Sequence, residues 1–245
     1  MKFWIGGLAE LANTTILWAQ LVINGKSEGP HPFYLPLRCH KTHKVLPGIT
    51  IGDCGPKKGL NYIDNGYLIL DSVRIPQEYL LGRYGDIDEK GEYISPIKDW
   101  NLRFGLHMSA LSAGRGLLGF STETTSITAT TIALRYAHSR KQFETTDKTD
   151  EIAIIDYPLT QIRLIPQIAM QIIQIPAGYR IADIYTNDGN LFKDELYLTE
   201  MHALSAAVKA RYTWNTLKAA EECRTILGGH GYSSLSRIPS IVDDI

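Results

Sequence analysis

The spacing of apolar positions changes character once along this chain. Up to about Leu81 they come in short runs of strand-favouring residues, and beyond Trp100 they come in long stretches with helical spacing. Thr14 to Ile23, His31 to Leu37 and Gly48 to Ile51 read as strands, separated by the turn dipeptides Asn24-Gly25, Gly29-Pro30 and Pro47-Gly48. Tyr67 to Pro76 supplies a further strand, closed by Pro76. A polar, acidic stretch from about Arg83 to Asp99 follows. Three helices are then expected: Trp100 to Arg140, Tyr157 to Tyr185, and Leu196 to Leu227 with its start at Asp194-Glu195. In the second, Ile162, Ile165, Ile168, Ile172 and Ile175 form a stripe that reads as core, and Pro166 and Pro176 are expected to kink it. The fold class is α+β, an antiparallel β domain over residues 1–83, a linker over 84–99 and an α-helical bundle over 100–245.

Composition narrows the function classes. A chain of 245 residues with 44% hydrophobic content can bury a sizeable core. Its formal net charge of −1 offers no long-range attraction to nucleic acid or to an anionic membrane. No stretch reaches the roughly 18 apolar residues of a spanning helix, so no membrane insertion is expected. Cys39, Cys54 and Cys223 are widely separated and lack metal-ligand spacing, which argues against both a zinc site and a disulfide framework. No Gly-x-Ser-x-Gly elbow supports a serine hydrolase.

Four segments carry candidate chemistry, each with a plain structural alternative. Trp4-Ile5-Gly6-Gly7 can set an indole against a planar ring with bare backbone beside it, or can be a core tryptophan next to a glycine turn. Gly55-Pro56-Lys57-Lys58-Gly59 can meet a phosphate or be a solvated loop. Arg135 to Phe143 ends the first helix, where Arg140 suits a phosphate and Gln142 and Phe143 offer an amide and a stacking face. The alternative there is a basic helix end complementing the macrodipole. Gly228-Gly229-His230-Gly231-Tyr232 lets the backbone approach an anion, with His230 read as structural.

The order of these segments is more specific than any one of them. Lys2 to Gly7, Gly55 to Gly59, Ile63 to Tyr67, Arg74 to Pro76, Arg135 to Phe143 and Gly228 to Tyr232 together resemble the peroxisomal acyl-CoA oxidases, within the wider acyl-CoA dehydrogenase family. The resemblance implies an FAD-dependent oxidation of an acyl-CoA to the trans-2-enoyl-CoA, with dioxygen leaving as hydrogen peroxide, in peroxisomal fatty-acid β-oxidation. It implies FAD binding by Trp4, Gly6, Gly7, Arg140, Gln142, Phe143, Gly228 and Gly229, and a homodimer in which Arg140 and the Gly228-Gly229 turn reach the neighbouring subunit's FAD. No metal is expected. The family's glutamate base is expected beyond Ile245, so no catalytic residue is assigned, and the chain is expected to be a fragment that is inactive alone. Two other readings stay open: a non-catalytic subunit of the same fold, and a dehydrogenase with a protein electron acceptor.

Overall fold

Asn24 and Gly25 both hold left-handed backbone, with φ of 50° and 77°, the conformation a two-residue hairpin needs. They join β2 (Thr14–Ile23) to β3 (Lys26–Pro36), the longest antiparallel pair among the described residues. The structure is a computed structural model that describes residues 1–144, 147, 150–187 and 195–245, and it divides into two compact units, Met1–Met108 and Ser109–Ile245.

In the first unit a second sheet has the order β1 (Lys2–Gly6), β5 (Asn65–Leu70), β4 (Ile49–Asp53), all antiparallel. Leu8, Leu35, Leu37, Ile49 and Leu68 close over one another as its core. Two expectations are corrected here. Gly29-Pro30 is not a turn but lies inside β3, where Gly29 takes φ 89° beside a register slip between Leu21 and Val22. Pro30, Pro32 and Pro36 occupy alternate positions, whose missing N–H a two-stranded ladder does not use, and the Pro32 carbonyl turns outward to accept from Leu81 at 3.0 Å. The strand expected over Tyr67 to Pro76 is β5, which ends at Leu70, because its partner strand begins at Ile49 and Ser72 turns the chain with φ 52°.

Residues 84–99 carry a small hairpin, β6 (Asp86–Ile87) and β7 (Tyr93–Ile94), whose loop is held by the Asp88 carboxylate accepting from Lys90 and Glu92 at 2.9 and 2.8 Å. The Asp99 carboxylate then accepts from Asn101 at 2.8 Å and starts α1 (Trp100–Ser139). The two units divide within this helix rather than in the preceding segment. Its first turns belong to the β unit because Arg103 and His107 are buried there among Glu28, His31 and Tyr93.

The second unit packs the rest of α1 with α2 (Pro158–Asn187), α3 (Glu195–Ile226) and the short α4 (Ile238–Asp244). Asp194, half of the expected start signal of α3, lies outside the described residues. Threonines make α1 a weak helix former on paper, but Thr122, Thr125, Thr128 and Thr130 return their hydroxyls to carbonyls three or four residues back, removing the competition. α2 runs unbroken through Pro166 and Pro176. None of the described helices is long and apolar enough to cross a membrane.

The isoleucine stripe of α2 reaches the core only in part: Ile168 packs against it and Ile175 is half-buried. Ile162, Ile165 and Ile172 are exposed, whereas the same helix buries Leu164, Gln167, Gln171, Gln174, Ile181 and Ile184. The inward glutamines have work to do: Gln171 donates to Ser126 at 2.8 Å and to Thr130 at 3.1 Å, tying α2 to α1. One turn before Ser126 on α1, Glu123 is 3% exposed and neither carboxylate oxygen has a partner. Burial raises its pKa from 4.5 to about 7.

A raised folded-state value means that between about pH 4.5 and 7 the unfolded chain gives up this proton while the folded chain keeps it, so stability falls as pH rises through that window. At roughly 1.4 kcal/mol per pKa unit the loss approaches about 3 kcal/mol. Glu123→Gln removes the proton exchange. Urea unfolding at pH 5 and pH 8 is expected to show the variant gaining on the wild type at the higher pH by about that amount.

Candidate functional site

β1 lies at the edge of its sheet and does not match β5 residue for residue. Lys2 faces Leu68 and Ile5 faces Gly66, so the β1 side carries one residue more and bulges at Phe3 and Trp4. Trp4 takes φ 67°, costly for a bulky L-residue, and the residue is 61% exposed. Phe3 stacks on Tyr67 at 5.4 Å beside it. Gly7 continues with φ 72° and donates its N–H to the Asp64 carbonyl at 2.7 Å. The Asp64 carboxylate accepts from the N–H groups of Glu10, Ala9 and Leu11 at 3.0, 3.0 and 3.2 Å, which, Glu10 first, holds it below the usual carboxylate range. Gly6 has ordinary φ, and a side chain there would meet nothing of this chain within 4 Å. The fold itself therefore does not require glycine at Gly6. Trp4, Gly6 and Gly7 form one exposed ledge with bare backbone next to an aromatic face.

The second group of residues comes together in the helical unit. α1 ends at Ser139, and Arg140 leads into β8 (Lys141–Glu144), which pairs with β9 (Glu151–Ala153). This pairing slips by one residue too, and Phe143 takes φ 67° within it, 68% exposed. The Arg140 carbonyl accepts from Ile154 at 2.9 Å, and the Tyr157 hydroxyl donates to the Gln142 carbonyl at 2.9 Å. At the far end of the unit's sequence α3 stops at Ile226 and the chain winds through a 3-10 turn, Gly228–Gly231. Arg140, Gln142, Gly228 and Gly229 line one open cavity of about 430 Å³, with Tyr136 and His230. Phe143 does not line it. It borders an adjoining hollow of about 400 Å³ with Tyr157, Arg163 and Thr225, and its ring meets the edge of Tyr157 at 6.3 Å. His230 sets its ring against Tyr136 at 5.7 Å, a packing role.

The glycines of this turn divide by cause. Gly231 is buried, and a side chain on it would collide with the Arg224 carbonyl, so packing demands it. Gly228 takes φ 55°, so backbone conformation favours it. Gly229 faces open space within 4 Å and has no such φ, so its missing side chain leaves room beside Arg140 for a ligand. An arginine whose charge no described ion pair uses, an exposed aromatic ring and bare backbone fit a dinucleotide carrying a pyrophosphate and an adenine. Tyr136, Tyr157 and His230 were missed as cavity residues by sequence reasoning. Tyr136 and His230 stand inside the quoted segments, whereas nothing in the sequence signals Tyr157.

Residues 109–245 match the acyl-CoA oxidase C-alpha1 domain family, and the chain belongs to the acyl-CoA oxidases. Peroxisomal acyl-coenzyme A oxidase 3 of Homo sapiens is 34% identical over 99% of this chain and 36% of its own length. Peroxisomal acyl-coenzyme A oxidase 1 of Mus musculus is 40% identical over 98% of this chain and 36% of its own. Among solved structures, acyl-CoA oxidase-2 of Caenorhabditis elegans, bound with FAD, ascaroside-CoA and ATP, superposes with a TM-score of 0.88 at 32% identity, over 99% of this chain and 36% of that one. The chain thus spans about a third of the length of the relatives it matches.

Gly231→Ala is expected to destabilise the helical unit by about 1–3 kcal/mol, the usual cost of overpacking, while Gly229→Ala leaves its unfolding midpoint near that of the wild type. Urea titrations of the two variants followed by circular dichroism check this contrast.

Proposed function

We propose that this chain is the flavin-holding part of an FAD-dependent acyl-CoA oxidase, which converts acyl-CoA and dioxygen to trans-2-enoyl-CoA and hydrogen peroxide in peroxisomal fatty-acid oxidation. Family membership supports the reaction class, and the names of the human and mouse relatives support the peroxisome. The observation that carries the flavin reading is the meeting of Arg140 and Gln142 with Gly228 and Gly229 around one cavity, from segments distant in sequence. FAD, when bound, supplies the two-electron acceptor that no side chain can provide.

The roles of the residues follow from their chemistry. Arg140 donates charge-assisted hydrogen bonds to the pyrophosphate, and Gly228 and Gly229 let the backbone close on it without a side chain intervening. Gln142 offers its amide and Phe143 its ring to the adenosine. Trp4 covers one face of a flavin ring, with Gly6 and Gly7 giving backbone to its polar edge. In this reading the second group serves the FAD of a neighbouring subunit, so the protein works as a homodimer. None of the residues assigned here acts as the base that removes the α-proton. That role, with the rest of the acyl-CoA site, is assigned to the whole protein.

The test uses the whole protein with FAD and a long-chain acyl-CoA, following peroxide and enoyl-CoA together. Equal amounts of the two are expected; enoyl-CoA without peroxide, and with a reduced protein acceptor, would make it a dehydrogenase. Arg140→Gln is expected to weaken FAD binding at least about tenfold, since a hydrogen bond to a charged group contributes about 1.5–3 kcal/mol. Unchanged affinity, or a monomer that keeps its FAD, contradicts the shared site.

A further inference from the structure

The Gly55-to-Gly59 loop is largely solvated, with Gly55, Pro56 and Lys58 exposed, but Lys57 is engaged within the chain. The half-buried Lys57 spends its ammonium on its own chain, donating to the Ile63 carbonyl at 2.7 Å and to Asn65 Oδ1 at 2.9 Å. Its own backbone is clasped by Asn61, which accepts from the Lys57 N–H at 2.8 Å and donates to the Lys57 carbonyl at 3.0 Å. The lysine is thereby fixed at both ends.

The consequence passes through Asn65. A lysine ammonium has donors only, so the atom of the Asn65 amide that faces it must be the oxygen. That choice turns Nδ2 the other way, where it donates to the Trp4 carbonyl at 3.3 Å. Asn65 opens β5 opposite Gly6, so the bond bridges the two strands at the bulge, next to the residue whose φ is 67°. A strained backbone persists only where its surroundings over-determine it, and here the Asn65 bond adds to a ladder that is paired at Lys2 before the bulge and at Ile5 and Gly6 after it. Lys57 also lies near enough to Asp64 to favour its ionised form, and Asp64 caps the turn that follows Gly7. Both sides of the Trp4 ledge are thus secured from one loop.

We infer that Lys57 and Asn65 are positioning residues, which hold the Trp4 backbone in its left-handed bulge and so set the plane its indole presents. The inference rests on the reading of Trp4 as a flavin wall for its importance, but its test needs no flavin. Asn65→Asp keeps the shape and strengthens the partner of Lys57, yet loses the donor to Trp4. Lys57→Met removes the charge that orients the amide, and Lys57→Arg restores a donor.

The emission of Trp4, taken as the difference between each protein and its Trp4→Phe counterpart, is titrated with acrylamide in the full chain without FAD, alongside hydrogen exchange of residues 2–7. Asn65→Asp and Lys57→Met are expected to raise quenching of Trp4 and to speed exchange about fivefold, the size expected for losing one hydrogen bond, with Lys57→Arg closer to wild type. The thermal midpoint of Asn65→Asp stays near that of the wild type. Unchanged quenching and exchange in Asn65→Asp overturn the inference, as does a change seen only in proportion to a lost midpoint. FAD added to the wild type is a separate arm. If it leaves the Trp4 emission untouched, the flavin reading fails while the positioning role keeps its own result.

Discussion

An L-amino acid with an aromatic side chain resists positive φ, and this chain accepts that conformation at Trp4 and at Phe143. Both positions arise in the same way, from paired strands whose lengths differ by one residue. Each costs on the order of 1–3 kcal/mol, comparable to a large fraction of a domain's net stability, so neighbouring bonds must hold it. At Trp4 these come from Asn65 and from the Asp64 turn; before Phe143 they come from Ile154 and Tyr157, which donate to the carbonyls of Arg140 and Gln142. In both places the ring is exposed, which a regular strand facing a core would not have allowed.

The helical unit resolves a different conflict. α2 is rich in isoleucine, yet it turns glutamines inward and leaves several isoleucines exposed. The Gln171 amide is satisfied by Ser126 and Thr130, whereas at Gln174 the Tyr212 hydroxyl of α3 donates to the backbone carbonyl at 2.6 Å and the buried side-chain amide nitrogen has no hydrogen-bond partner. Close approach is possible because α1 carries glycine where Ile181 and Val208 press against it, at Gly116 and Gly119. The cost concentrates at Glu123, a carboxyl that burial keeps protonated up to about pH 7. Cys223, deep in the neighbouring core, is pushed up to about 12 by the same cause and stays an inert thiol.

Much of the site could be read from contiguous residues, since a glycine-rich turn, a basic helix end and a tryptophan before two glycines each carry their chemistry within a few positions. The segment boundaries were legible for similar reasons: Asn24-Gly25 can hardly do anything but turn, and long stretches at helical spacing gave the three long helices to within a residue or two, though not the short α4. Gly29-Pro30 shows where such local rules stop, because a glycine and a proline fit a strand as well as a turn once the strand has a bulge beside them.

By itself, then, the sequence determined the change from strands to helices, the three long helices and the family, and it supplied the residues proposed to meet a flavin, because these depend on local conformation and on chemistry that neighbours in the chain supply. Only the tertiary structure decided which face of α2 is buried, since a helical repeat marks a stripe without saying what faces it. It also decided that Arg140 meets Gly229 and that Lys57 turns inward through Asn65 to Trp4. Those outcomes depend on partners far away in sequence, and a lysine or a glycine has the same local signature whether it faces a ligand or another part of its own backbone.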